Sequence, residues 1–260
     1  IYQCDWSSDV CSSDLGAAAT DPLDMSMALV RAAQRSGIGL TLLPTLYMRA
    51  GFDAAGLREQ QQRFASSPQR IEALLDALAH ACRDLSHVNL GVAIHSLRAA
   101  QAQALQSVAA LADARALPIH IHIAEQEQEV RDCLAHTGLR PIEWLLHHLP
   151  LHARWNLVHA THGTADELRG VARSGAHIVL CPSTEANLGD GVFDLPGWMA
   201  QGGRWSVGSD SHVTRSAAEE LRLLEYSQRL LLRQRNIAAR AGGRASSAAV
   251  LLQGALQGGH

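Results

Sequence analysis

Residues 117–125 read LPIHIHIAE, and the alternation inside this stretch decides the fold. Along an extended strand, side chains point to opposite faces in turn. Ile119, Ile121 and Ile123 therefore share one face, and His120 and His122 share the other. Three isoleucines suit a face packed under helices. Two imidazoles on the opposite face need polar partners, because burying them without any is costly. A metal ion is one such partner; hydrogen-bonding neighbours in a core are the other.

The same rhythm recurs on both sides of this strand. Upstream lie helical patterns over 24–37, 68–85 and 99–116, interleaved with the apolar runs IGLTLLPTLY and LGVAIH. In the second helix Ile71, Leu74, Leu75 and Leu78 fall at helical spacing. Downstream, helices are expected over 126–137, 141–149, 164–174, 195–201 and 216–234. Between them come the runs WNLVHAT (155–161), AHIVLCP (176–182) and WSVGSD (205–210). Thr164 stands where a helix cap belongs. Six short apolar runs separated by helices predict a parallel sheet. No glycine-rich dinucleotide loop follows an early strand, which removes the main support for an open doubly wound sheet. A barrel needs eight units, and six are counted here behind a helix whose own strand is missing. The expectation is a TIM-like (β/α)8 barrel that is incomplete, spanning approximately strands 3 to 8.

At 260 residues the chain can build one large core, and its 47% hydrophobic content suits a buried fold. The formal charge of -3 gives no footprint for nucleic acid. The densest basic run, Arg222, Arg229, Arg233, Arg235 and Arg240, is interleaved with acidic and apolar residues and reads as a solvated helix face. No stretch of 18 apolar residues suggests a membrane span, and no basic-then-apolar segment suggests a secretory leader. Five cysteines without metal or redox spacing favour a reducing, cytoplasmic setting. Residues 1–15, IYQCDWSSDVCSSDL, share no period with the rest and read as a leader foreign to the fold. Residues 16–240 then form the partial barrel domain and 241–260 a truncated tail.

Fourteen histidines are the unusual count. A barrel enzyme places its chemistry at the C-terminal ends of strands, and these runs end in reactive side chains. One ends at His95. One carries His120 and His122, with Glu125 beyond. One carries His159, with His162 beyond, and the last ends at Asp210, with His212 beyond. Zinc takes nitrogen and oxygen ligands and in catalytic sites keeps one position open. His122, His159 and Asp210 are the candidate ligands. A metal there would activate water as a nucleophile. Glu125, at the mouth of its strand, is placed to carry a proton; capping the following helix is the alternative. Arg98 follows His95 in the turn after a strand, and its rigid fork suits a carboxylate; pairing with a surface acid is the alternative. The loop CPSTEANLGDG (181–191), with Glu185, Asn187 and Asp190, reads as a pocket-shaping segment.

These residues carry a resemblance. The segments GIGLTLLPTLY, GVAIHSLRA, PIHIHIAEQEQEV, RPIEWLL, LVHATH, CPSTEANLGDG, GSDSHV and EELRLLEYSQRL occur in order. Together they resemble the amidohydrolase superfamily and, within it, the formiminoglutamate deiminases of histidine degradation. The resemblance implies a metal-dependent hydrolase barrel with one zinc ion per subunit, iron being used elsewhere in the superfamily. It implies that His122, His159 and Asp210 are metal ligands, with Asp210 also accepting a proton and His159 also polarising the substrate. It implies that Glu125 moves protons and that His95 and Arg98 hold the glutamate part of a small carboxylate-bearing substrate. The implied reaction converts N-formimino-L-glutamate to N-formyl-L-glutamate and ammonia, in a cytoplasmic homodimer that binds neither nucleic acid nor membrane. The family's His-x-His on strand one and its small β-sandwich have no counterpart in these residues. The 260-residue chain by itself is therefore expected to bind zinc weakly and turn over negligibly, the longer parent being the active enzyme. The alternative is another superfamily deaminase or chlorohydrolase acting on a heterocycle. His120 and His212 receive no role.

Overall fold

The computed structural model describes residues 23–259; the leader expected over 1–15 lies outside them. The chain divides into two compact units between Ile121 and His122, and that junction falls inside a strand.

The first unit runs α1 (Asp24–Ser36), β1 (Leu40–Leu42), β2 (Thr45–Leu46), a 3-10 turn (Glu59–Phe64), α2 (Pro68–Ala81), β3 (Val88–Leu90), β4 (Val92–Ile94) and α3 (Ala102–Ala114), then enters β5 (Ile119–Ile123). Here β1 pairs with β3, β2 with β4, and β4 with β5, all parallel. Ser67 caps α2 by accepting the Arg70 N–H, and Pro68 occupies the first turn, where its missing donor costs nothing. The helix buries Ile71, Leu75 and Leu78. Val30, Ala33, Leu40, Leu42, Leu78 and Cys82 form a core cluster. Ile119, Ile121 and Ile123 are wholly buried, as the alternation in β5 requires. Each such side chain contributes about 1.5–3 kcal/mol relative to exposure.

The second unit begins in β5 at His122 and continues through α4 (Glu127–Thr137), α5 (Pro141–His148), β6 (Trp155–His159), α6 (Ala165–Ser174), β7 (His177–Leu180), α7 (Pro182–Leu188), α8 (Leu195–Ala200), β8 (Trp205–Val207), α9 (Ala217–Leu232), α10 (Ile237–Ala241) and α11 (Ser247–Gly258). Parallel pairing sets Asn156 opposite His177 and Ile178 opposite Trp205. Thr164 and Glu167 close a reciprocal capping box at the start of α6. In the tail, α11 lies against β8 so closely that a Cβ on Gly258 would sit 1.8 Å from the Trp205 carbonyl oxygen.

The strand count corrects the sequence reading. The fold is TIM-barrel-like α/β with eight strands among the described residues, not a set limited to strands 3 to 8. Two apolar runs that read as single strands are each broken. Pro44, which has no N–H to donate, separates β1 from β2. Gly91 separates β3 from β4, and its missing side chain is required there: a Cβ would lie 2.7 Å from Leu43 Cδ2 and 2.9 Å from the Pro118 carbonyl. The register is the same on both sides of the breaks, Leu40 facing Val88 and Thr45 facing Ala93. The segment 181–191 also differs from its reading as a loop. Most of it is α7, with Pro182 in its first turn and Gly189 in the left-handed conformation beyond its end. Among the described residues no helix is long and apolar enough to cross a membrane.

Candidate metal centre

Three of the sequence-read residues meet in the second unit. His122 projects from β5, His159 ends β6, and Asp210 follows β8. One ligand atom from each lies within 4.8 Å of the others. His122 Nε2 is 3.4 Å from Asp210 Oδ1, and His159 Nε2 is 3.9 Å from Asp210 Oδ2. The two imidazoles stack with centroids 5.6 Å apart. Glu125 joins them, its Oε1 3.6 Å from His159 Nε2. His159 and Asp210 hold positive φ angles of 69° and 46°, and Ala124 and Ala160 beside the site hold 50° and 53°. Non-glycine residues in this region cost on the order of 1–3 kcal/mol each and persist where surroundings impose them.

The surroundings here are hydrogen bonds that sequence reasoning missed. Glu129, on α4, accepts the backbone N–H groups of Ala124 and Glu125 at 3.1 and 3.0 Å and so sets the turn that presents Glu125. Glu185, on α7, faces His159 Nδ1 at 3.3 Å. Thr184 donates to the Ser209 carbonyl at 3.0 Å and bonds Ser211, bracketing Asp210. Glu220, on α9, accepts both the N–H and the hydroxyl of Ser183. The one signal available for Glu129 was its place in the first turn of a helix, where a carboxylate is favoured.

The electrostatics favour a cation at this spot. Burial alone would lower the His159 imidazole, but the hydrogen bond to Glu185 and the charges of Glu125, Glu185 and Asp210 carry it up to about 9. Burial likewise raises Asp210, yet its bond to His122 and the charges of His122, His159 and His212 leave it below the usual carboxylate range. Burial pushes Glu125 up. Asp190 and Asp210 add to that shift, while His159 and His122 oppose it. A carboxyl that holds its proton beside paired imidazoles is suited to proton transfer.

His95 and Arg98 belong to the first unit. His95 is buried at the end of β4, its ring 5.0 Å from that of Tyr47 and its Nδ1 2.8 Å from Ser96 Oγ. Arg98 is half-buried in the following turn. Arg49 clamps that turn by donating to the carbonyls of Leu97, Arg98 and Ala100 at 3.1, 3.0 and 3.2 Å. Burial pushes the Tyr47 phenol up, and the charge of Arg98 pulls it back. His120 is buried on β5, and His212 has a left-handed backbone near Asp210.

A divalent metal fits the triad. His159 Nε2 is fully buried and makes no hydrogen bond among the described residues, while Nδ1 is taken up by Glu185. Two imidazole nitrogens and a carboxylate oxygen form a donor set that zinc accepts. Two histidines and an aspartate meeting at the strand ends of a TIM-barrel-like fold form a buried cluster able to coordinate a divalent metal. The chain belongs to the amidohydrolase family, whose profile matches residues 14–251. It is 49% identical over 221 residues to the formimidoylglutamate deiminase of Pseudomonas aeruginosa, covering 85% of this chain and 48% of that protein. It is 31% identical over 169 residues to a 5-methylthioadenosine/S-adenosylhomocysteine deaminase of Desulfovibrio desulfuricans, covering 62% of this chain and 38% of the relative. Among solved structures, an amidohydrolase from Brucella melitensis superposes with a TM-score of 0.88 at 44% identity, covering 94% of this chain and 53% of that one. The chain thus spans about half the length of the Pseudomonas and Brucella proteins.

Proposed function

We propose that this chain carries the metal centre of a formiminoglutamate deiminase, which hydrolyses N-formimino-L-glutamate to N-formyl-L-glutamate and ammonia in histidine degradation. The observation that carries the reading is the convergence of His122, His159 and Asp210 within 4.8 Å in a chain 49% identical to a protein of that name. Zinc is the metal assigned, held by those three side chains. When bound, it supplies Lewis acidity and brings water toward its nucleophilic form at neutral pH.

The protein's own groups do the rest. Asp210 accepts a proton as water attacks the formimino carbon. Glu125, whose carboxyl holds its proton above the ordinary range, protonates the imine nitrogen and so makes that carbon more electrophilic. The nitrogen then departs as ammonia when the tetrahedral carbon collapses to the formyl group. Water supplies the oxygen and both hydrogens, so the step needs no further reactant. His95 and Arg98 are assigned to the substrate's glutamate part, where a guanidinium fork matches a carboxylate.

The 31% identity to an adenosyl-type deaminase supports the second reading, a heterocycle as substrate. Ammonia release from N-formimino-L-glutamate, S-adenosylhomocysteine and guanine, measured with the zinc-loaded longer parent, decides between them. Release from the formimino substrate alone, abolished by chelation and restored by zinc, is expected. Release from a heterocycle alone would sink the first reading.

A further inference from the structure

We propose that Glu185 is a positioning residue for His159: it accepts a hydrogen bond from Nδ1–H and so turns Nε2 toward Glu125 and Asp210. The inference rests on the metal-centre reading for what Nε2 does there, though not for the hydrogen bond itself.

Both partners are out of reach of solvent, His159 being 0% exposed and Glu185 5%. The separation of Nδ1 from Glu185 Oε1 is 3.3 Å. An ionised carboxylate only accepts hydrogen bonds. The ring must therefore donate at Nδ1, which leaves Nε2 to face the site. Nε2 itself stands 3.6 Å from Glu125 and 3.9 Å from Asp210 and bonds neither. The His159 backbone, at a φ of 69°, does not relax into an ordinary strand conformation, so a restraint from behind the ring has a purpose.

A simpler role for Glu185 is to cap its own helix, since the same oxygen also accepts the Cys181 N–H at 2.9 Å. A cap alone leaves the ring unaccounted for. His159 Nδ1 lies 3.3 Å from that same oxygen. The platform is fixed as well. Glu220 anchors Ser183, two residues before Glu185, and Thr184 reaches Ser209 and Ser211. The seven-residue α7 thereby orients two members of the triad, His159 through Glu185 and Asp210 through Thr184.

The test is a long-range proton–nitrogen spectrum of the 260-residue chain labelled with nitrogen-15 histidine, without metal. A slowly exchanging Nδ1–H of His159 is expected in the wild type. It should persist in Glu185→Gln, whose carbonyl oxygen can take both donors, and vanish in Glu185→Ala. If Glu185→Ala does not fold, Glu185→Asp serves, because its shorter carboxylate withdraws from Nδ1 and should lose the same signal. Persistence of that signal in either variant overturns the assignment, as does a wild-type ring protonated at Nε2 alone. Zinc titration by calorimetry separates the two readings. Glu185→Ala should weaken binding by about 10–100-fold, and unchanged affinity would overturn the assignment while sparing the metal centre. Zinc binding unaffected by His122→Ala overturns the metal centre and leaves the proton result to decide on Glu185.

Discussion

Glu125 and Glu225 are the same residue, both buried in the second unit, and their surroundings drive them in opposite directions. Glu225, on α9, accepts the N–H groups of Ile237 and Ala238 at 3.0 Å each, the Ser247 hydroxyl at 3.0 Å and Arg229 Nε at 2.8 Å. Burial would raise its carboxyl, but the bonds from Ala238, Arg229 and Ser247 and the charge of Arg229 hold it below the usual range. Glu225 thus supplies the cap that Asn236 does not give α10, and it ties α9 to the start of α11. Glu125 has two imidazoles and two other carboxylates for company, and its carboxyl is pushed up. Burial is therefore not what separates a structural carboxylate from one able to move protons; the number and kind of donors aimed at it is.

The sharpest way to break this contrast is Glu125→Gln. It should lower kcat by about 100–10,000-fold while unfolding stability changes by no more than about 1 kcal/mol. A fully active variant would remove Glu125 from the chemistry. Glu225→Ala should do the reverse. It strands two buried N–H groups and should cost about 3 kcal/mol in urea unfolding; a loss under about 1 kcal/mol would show that Glu225 is not the knot described.

The two groups should also pull the pH profile of stability in opposite senses, measured on the metal-free protein. Glu225 binds its proton less readily in the fold than in the unfolded chain. Its contribution is present above the ordinary glutamate range and lost as pH falls through the depressed folded value. Glu125 binds its proton more readily in the fold, so stability declines as pH rises from the ordinary range through the raised value. Glu225→Gln should flatten the acid limb and Glu125→Gln the limb above it; an exchange of these effects would refute the contrast. The smallest expected change is Ser247→Ala, about 1–2 kcal/mol as the hydroxyl's donation to Glu225 and its bond from the Ala239 N–H are both lost, seen as a shift of the urea midpoint.

Much of the centre was legible before any coordinates. His122, His159 and Asp210 could be read because a strand's alternation and its C-terminal end are local properties of the chain. Thr164 could be read because a cap and its partner lie three residues apart. Glu185 could not, because His159 is 26 residues away, and Glu225 could not, because it caps a helix 12 residues on. The helix α7 was missed although Pro182 and Gly189 bound it, since seven residues are too few to show a helical period. The strand count failed at Pro44 and Gly91, where an apolar run continues but the ladder does not.

What the sequence determined by itself was the alternation of apolar runs with helices, the buried isoleucine face of β5, and which reactive side chains stand at strand ends. Those follow from periodicity and residue chemistry within a few neighbours. Only the tertiary structure decided that two histidines and an aspartate come within ligand distance, that Glu185 stands behind one of those rings, and that Glu125 and Glu225 have opposite proton affinities. Each of these depends on groups remote in sequence and adjacent in space, because hydrogen bonds and charge interactions act across a few ångströms whatever the length of chain between them.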